Sequence, residues 1–220
     1  MESAMPNIDP TELSIITDGV VELVRAFLLG SKPPKVFGVR VAVLKILDHS
    51  DPAGTVVAVL CPSMDKYDLR RLLEKSIEDR QIDGYIVAAE GWTIRTSDEA
   101  AAKTIVQEYS SLEFAPGREE GLFIIASTPT TRITHAFGIE RDIDGVVTSM
   151  PSLNFDNLES PRFDVAWPTG YNSMDISDMA DISDNPLAEI FRHSQKMDEE
   201  ISKDGITELR ARMPHHRENN

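Results

Sequence analysis

The sequence predicts an α+β fold built on a mainly antiparallel sheet of about six strands with two to three packed helices. Runs of β-branched residues alternate with segments of helical period, and most connections are too short for parallel crossovers. Hydrophobic residues make up 41% of the 220 residues, which is enough to bury a core. Later in the chain the pattern changes to an extended acidic arm that is expected to end in a helix. We therefore expect a compact domain over residues 1–150 and an arm over residues 151–220.

Three segments have the features of helices. In the first, Asp9 is a helix cap and Pro10 stands at the first helical position. Apolar residues then recur every three or four positions, at Leu13, Ile16, Val20, Leu23 and Phe27. This stripe is expected to pack either on the sheet or against a second copy of the same helix. The same reasoning predicts helices over residues 64–81 and 98–108.

Six runs have strand character, and turn-forming residues separate them. They cover residues 36–46, 55–61, 85–94, 120–126, 132–139 and 146–148. The first two are close enough in the sequence to form an antiparallel pair. The third is almost uniformly apolar apart from Glu90, which favours a central position with both faces covered.

The formal net charge of -15 limits the classes of partner. Such a charge repels phosphate backbones and anionic lipid, so we expect neither nucleic acid nor a membrane as a partner, but rather a basic protein surface. The excess is uneven, because ten acidic residues and one arginine lie between Asp142 and Ile190. The single cysteine, Cys61, permits no intrachain disulfide, and the amino terminus lacks a signal-peptide pattern. The expected compartment is the cytoplasm.

The middle of the chain carries a spaced pattern of charged and aromatic residues. Ala89-Glu90-Gly91-Trp92 ends one strand, Pro116-Gly117-Arg118-Glu119-Glu120 leads into another, and a later strand ends near Arg141-Asp142. Over residues 55–148 this resembles the A-E-x-W … P-x-R-x-E pattern of small phage and mobile-element proteins, although Gly91 departs from the usual residue before the tryptophan. That family has no established activity. The resemblance therefore implies a phage or prophage origin and a common sheet, not a reaction.

Four residues of this pattern form a candidate site, namely Glu90, Trp92, Arg118 and Glu120. A charge within an apolar strand must be paired. One interpretation is an internal ion pair, Glu90 with Arg118 or Glu120 with Arg95, that fixes the register of the sheet while Trp92 packs across the joint. The alternatives are paired carboxylates facing a cleft, one of them a general acid, and binding without chemistry.

A second candidate binding segment lies in the arm, where four acids recur every three residues, at Asp175, Asp178, Asp181 and Asp184. On a helix they would share one face, and this acidic ridge would fold against a basic partner. A solvated loop is one alternative. A calcium site is another, although the spacing differs from that of a calcium loop. Histidine and cysteine spacing does not predict zinc, and we predict no catalytic residue, metal or cofactor.

Three functions therefore stay open. The first is a non-enzymatic interaction protein that binds a basic protein surface through its acidic arm. The second is a structural or assembly component of a phage-like particle, a virion protein in which the amino-terminal stripe and the arm dock neighbouring copies into a homo-oligomer. The third is a small hydrolase that uses Glu90 and Glu120. The sequence also leaves open whether the arm wraps its own domain through scattered apolar residues such as Val165 and Trp167.

Overall fold

The structure, a computed structural model, describes residues 7–32, 39–46, 56–60, 66–94, 99–109, 112–153 and 165–174. The elements in these ranges are α1 (Pro10–Leu28), β1 (Val39–Ile46), β2 (Val56–Leu60), α2 (Lys66–Glu78), β3 (Gly84–Ile94), α3 (Glu99–Glu108), a short 3-10 helix (Leu112–Phe114), β4 (Arg118–Ser127), β5 (Arg132–Gly138), β6 (Glu140–Arg141) and β7 (Val147–Ser149). The chain divides into two compact units, Met1–Asp175 and Ile176–Asn220, and every described residue belongs to the first. Helices combined with antiparallel strands confirm the predicted α+β class.

Five strands form one sheet in the order β2-β1-β3-β4-β5, and each neighbouring pair is antiparallel. β1 and β2 pair as predicted. β3 is the middle strand, and the burial of residues 84–89 on both faces agrees with its expected central position. The sixth predicted strand, 146–148, does not belong to this sheet, because β7 pairs with β6 in a separate two-stranded sheet. Within the described ranges the sheet therefore has five strands, where the sequence predicted about six.

A tight turn explains why the last strand leaves the sheet. The Asp142 carboxylate accepts hydrogen bonds from the backbone nitrogens of Asp144, at 2.9 Å, and Val146, at 2.8 Å. Gly145 has a φ of 77°, a conformation that favours glycine. The chain therefore folds back onto β6. The outer edge of β5 is met instead by residues 151–153, through backbone hydrogen bonds and an isolated bridge.

α1 covers one face of the sheet. The Asp9 carboxylate caps it as predicted, accepting a hydrogen bond from the Thr11 nitrogen at 2.8 Å. The buried residues of this helix join those of the sheet in one core cluster, which includes Leu13, Val21, Val24 and Leu28 with Ala42, Leu44, Ile86, Leu122 and Ile124. The burial of these apolar side chains is what holds the helix on the sheet.

The buried face of α1 coincides only in part with the stripe that the sequence predicted. Ile16 and Val20 of that stripe are partly buried and pack against the core. Leu13 belongs to both, but Leu23 is 67% exposed and Phe27 is 39% exposed. The structure buries the neighbouring row, which contains Thr17, Val21, Val24 and Leu28. The sequence did not indicate this row because Thr17 breaks its apolar pattern. The Thr17 hydroxyl donates to the Leu13 carbonyl oxygen at 2.6 Å, so its burial leaves no unsatisfied polar group.

α2 and α3 form where the sequence predicted them, and residues 64, 65 and 98 of the predicted ranges lie outside the described residues. The sequence places Leu69, Leu72, Leu73 and Ile77 on one face of α2. The structure buries Leu69, Leu73 and Ile77 and leaves Leu72 half-buried. Its exposed side carries ion pairs between residues four apart. Among the helices in the described ranges, none is long and apolar enough to cross a membrane.

Residues 165–174, which we call the strap, cover part of the other face of the sheet. The Trp167 ring stacks on Tyr85 with centroids 5.9 Å apart, and its Nε1 donates to the Ser127 hydroxyl at 2.9 Å. The Val165 nitrogen donates to the Tyr85 hydroxyl at 3.3 Å. Over these residues the arm does wrap its own domain, which is one of the alternatives that the sequence left open.

A buried lysine holds the end of the strap. Lys45 is 0% exposed, and its ammonium contacts Asp83 Oδ2 at 3.3 Å, Ser173 Oγ at 2.9 Å and the Met174 carbonyl oxygen. An ammonium has three N–H donors, and here three acceptors meet them. The Asp83 carboxylate also accepts hydrogen bonds from the Ile46 nitrogen, at 2.8 Å, and from the Ser173 hydroxyl. The charge is therefore paired and hydrogen-bonded inside the protein.

The loop between α2 and β3 completes the anchor. The Met174 nitrogen donates to the Arg80 carbonyl oxygen at 2.8 Å. The Tyr171 hydroxyl donates to the Ile82 carbonyl oxygen at 2.6 Å, and burial raises the pKa of Tyr171 above its usual range. The strap is thus fastened by backbone bonds as well as by the lysine.

We expect Lys45→Met to lower the free energy of unfolding by about 3–5 kcal/mol, because it removes the cation that pairs with the buried Asp83 carboxylate. Urea unfolding followed by tryptophan fluorescence measures this loss and also reports on Trp167 in the strap. The matched control is Lys75→Met on the exposed side of α2, where the ammonium pairs with Asp79 at 2.9 Å and little change is expected. Equal losses in the two variants would contradict the anchor.

Candidate binding site

The sheet places the four predicted residues of the middle region on one face of two neighbouring strands. We call Glu90, Trp92, Arg118 and Glu120 the β3–β4 patch. Trp92 lies directly opposite Glu120, while Glu90 and Arg118 stand two positions away along β3 and β4. Residues that oppose each other across a strand pair, or stand two apart along one strand, share a face. All four therefore lie on the face that also carries α1.

The exposed end of the patch is an aromatic–cation pair. The Arg118 guanidinium carbon lies 5.0 Å from the centroid of the Trp92 ring, within the range of a cation–π contact. Trp92 is 38% exposed, and Arg118 is also exposed. The two side chains thus offer a planar apolar surface and a positive charge side by side to solvent. The predicted pairing of Arg118 with Glu90 stays a prediction.

The inner end of the patch is a two-point ion pair. Arg141 Nε and Nη2 each donate to one carboxylate oxygen of Glu120 at 2.7 Å, and Nη1 donates to the Gly145 carbonyl oxygen at 3.1 Å. The arginine and glutamate side chains are only 22% and 24% exposed. Hydrogen bonding to Glu120 raises the pKa of Arg141, and the negative charge of Glu90 adds to the increase. The predicted partner of Glu120, Arg95, lies outside the described residues.

The sequence did not identify Arg141 as a member of the site. Its position depends on the change of chain direction between β5 and β6. The Ile139 nitrogen donates to the Glu120 carbonyl oxygen at 2.9 Å, which keeps the chain beside β4 after β5 ends. Arg141 then follows two residues later, on the same side of the chain as Ile139. A search for opposite charges on strands that follow one another would have suggested it.

The geometry gives no support to acid–base chemistry by Glu90 and Glu120. A general acid or a nucleophile needs a carboxylate oxygen that can reach a substrate. Both oxygens of Glu120 are held by Arg141, and Glu90 lies close enough to act on the same guanidinium. The arrangement suits a structural ion network that leaves Trp92 and Arg118 exposed at its rim.

The four aspartates of the acidic arm, Asp175, Asp178, Asp181 and Asp184, lie outside the described residues. In the ranges that are described, no group of three or more His, Cys, Asp and Glu side chains is arranged to hold a metal ion. Comparison with family models, curated proteins and solved structures finds no match to this chain. The resemblance to phage and mobile-element proteins therefore still depends on the residue pattern alone.

We expect the Glu120–Arg141 pair to show a coupling energy of about 1–3 kcal/mol in a double-mutant cycle, because its hydrogen bonds are charge-assisted and partly shielded from water. The variants are Glu120→Gln and Arg141→Gln, measured by urea unfolding. The control cycle combines Glu120→Gln with Arg118→Gln and is expected to give a much smaller coupling, because Arg118 stacks on Trp92. Coupling of the same size in both cycles would argue against the assigned partner.

Proposed function

We propose that this chain is a non-enzymatic interaction protein that binds a basic protein surface through residues 175–190, which we call the acidic segment. The observation that carries the proposal is the anchor immediately before that segment. Lys45 binds Ser173 and Met174 in the interior of the domain, so the chain enters the acidic segment from a fixed point. A fixed starting point reduces the conformational freedom that the segment loses when it binds.

The charge of the acidic segment supports a basic partner. It contains five acidic residues and no lysine or arginine. The net charge of -15 adds a long-range attraction for positive surfaces and a repulsion from nucleic acid and anionic lipid. The phage or prophage origin that the resemblance implies would make the partner a host or virion protein and the compartment the host cytoplasm.

The assembly alternative is supported by a different observation. α1 leaves large apolar side chains in solvent, with Ile15 61% exposed and Leu23 67% exposed. Continuous apolar surfaces are rare on monomeric proteins, and where they occur they often mark a site of contact with another molecule. A component of a phage-like particle would use such a surface to contact its neighbours, and its place would be the virion.

Replacing the four regularly spaced aspartates by asparagine is expected to weaken binding of a labelled lysine- and arginine-rich peptide by about tenfold or more, because several charge contacts are lost together. Fluorescence anisotropy measures the affinity, which should also fall as salt rises. The variant carries Asp175→Asn, Asp178→Asn, Asp181→Asn and Asp184→Asn.

The matched control neutralises four exposed acids of α1 and α2 and so produces the same net charge. It carries Asp18→Asn, Glu22→Gln, Asp68→Asn and Glu78→Gln. If binding depends on the acidic segment, this control loses little affinity. An equal loss in both variants would show that the peptide responds to net charge alone, and the proposal would be rejected.

A further inference from the structure

We propose that a second copy of this chain docks on an exposed apolar row of α1, which makes the protein a symmetric homodimer. We call Ile15, Gly19, Leu23 and Phe27 the α1 ridge. Residues four apart form a continuous row along a helix surface, and such rows pack into the grooves of neighbouring helices. Ile15 is 61% exposed, Leu23 67% and Phe27 39%, and Gly19 is exposed as well. No member of the row is charged.

The core of the protomer does not account for the ridge. α1 already buries a separate row, from Leu13 to Leu28, against the sheet. Single exposed hydrophobic residues are normal on protein surfaces, but a continuous row of them marks an interaction site. The helix therefore has one apolar row for its own sheet and a second one that faces solvent.

Gly19 is the second observation that points to a partner. A glycine inside a helix is less stable than an alanine because its backbone loses more freedom on folding. A Cβ placed on Gly19 would meet no atom within 4 Å, so the packing of the protomer does not require a glycine. The missing side chain leaves a gap in the ridge, between Ile15 and Leu23, that a side chain from another molecule would fill.

The ridge is complementary to itself. When two copies lie antiparallel about a two-fold axis between positions 19 and 23, Leu23 of each copy meets the gap at Gly19 of the other. The same arrangement places Ile15 of each copy against Phe27 of the other. A two-fold interface uses one patch twice, so a single ridge supplies both sides of the contact. The large side chain of Leu23 fits the gap that the missing side chain of Gly19 leaves in an identical ridge. We therefore assign a second copy of the chain as the partner.

The size and the net charge of the protein set the strength of the dimer. The exposed apolar area of the ridge is on the order of a few hundred Å², below the roughly 800 Å² per partner of a typical stable interface. Two copies with a net charge of -15 each also repel one another at a distance. Salt screens this repulsion and leaves the apolar contact intact. The dimer is therefore weak, and salt strengthens it.

Sedimentation velocity of the full chain over a concentration series, at low and at high salt, tests the proposal. The expected result is a monomer–dimer equilibrium that shifts toward dimer as salt rises. Higher salt is expected to weaken binding of the basic peptide, which is the opposite of its effect on the dimer. The failure of the dimer can therefore be distinguished from the failure of the proposed binding function. A protein that stays monomeric at the highest concentration and salt overturns the dimer.

Three variants locate the interface on the ridge. Leu23→Ser is expected to raise the dimer dissociation constant at least about tenfold, because it removes the side chain that fills the gap. Gly19→Ala is expected to raise the thermal unfolding midpoint of the monomer and yet weaken the dimer, because the new Cβ occupies the gap. Ile143→Ser is the control, since Ile143 is fully exposed in the β6–β7 turn, at 103%, and lies outside the ridge. A dimer that is equally stable in all three variants overturns the proposal.

Discussion

The buried ammonium of Lys45 is the interaction that ties the strap to the sheet. A cation inside a protein is costly unless acceptors and an opposite charge surround it. Here β1 supplies the lysine, the loop before β3 supplies Asp83, and the strap supplies the Ser173 hydroxyl and the Met174 carbonyl oxygen. These three segments must be in place together before the charge can be buried. The strap is therefore part of the domain, and the acidic segment begins where this network ends.

Local patterns predicted most of the fold because the causes were local. The cap at Asp9, the short connection between β1 and β2 and the apolar run of β3 each lie within a few residues. Lys45 was missed because Ser173 lies 128 residues away in the sequence. The buried face of α1 was predicted only in part, because two apolar rows run side by side on this helix and only contact with the sheet selects between them.

The candidate site also contains residues that the sequence identified and one that it did not. The spacing of the sequence pattern was enough to group Glu90, Trp92, Arg118 and Glu120, and the register of β3 and β4 places them on one face. Arg141 reaches Glu120 only because the backbone turns a corner after β5, which no periodicity in the sequence shows. The carboxylate that was considered as a catalytic group is thereby held by a guanidinium, and the part of the patch that faces solvent is the Trp92–Arg118 pair.

The α1 ridge belongs to the helix on one face of the sheet, whereas the strap lies on the other face. A second copy on α1 would therefore leave the strap uncovered. The proposed dimer depends on apolar contact, and the proposed binding of a basic partner depends on charge. A dimer would carry two acidic segments, and the second would bind a repetitive basic surface as an intramolecular event. Weak self-association and weak electrostatic binding would then reinforce each other at intermediate salt, where neither is lost.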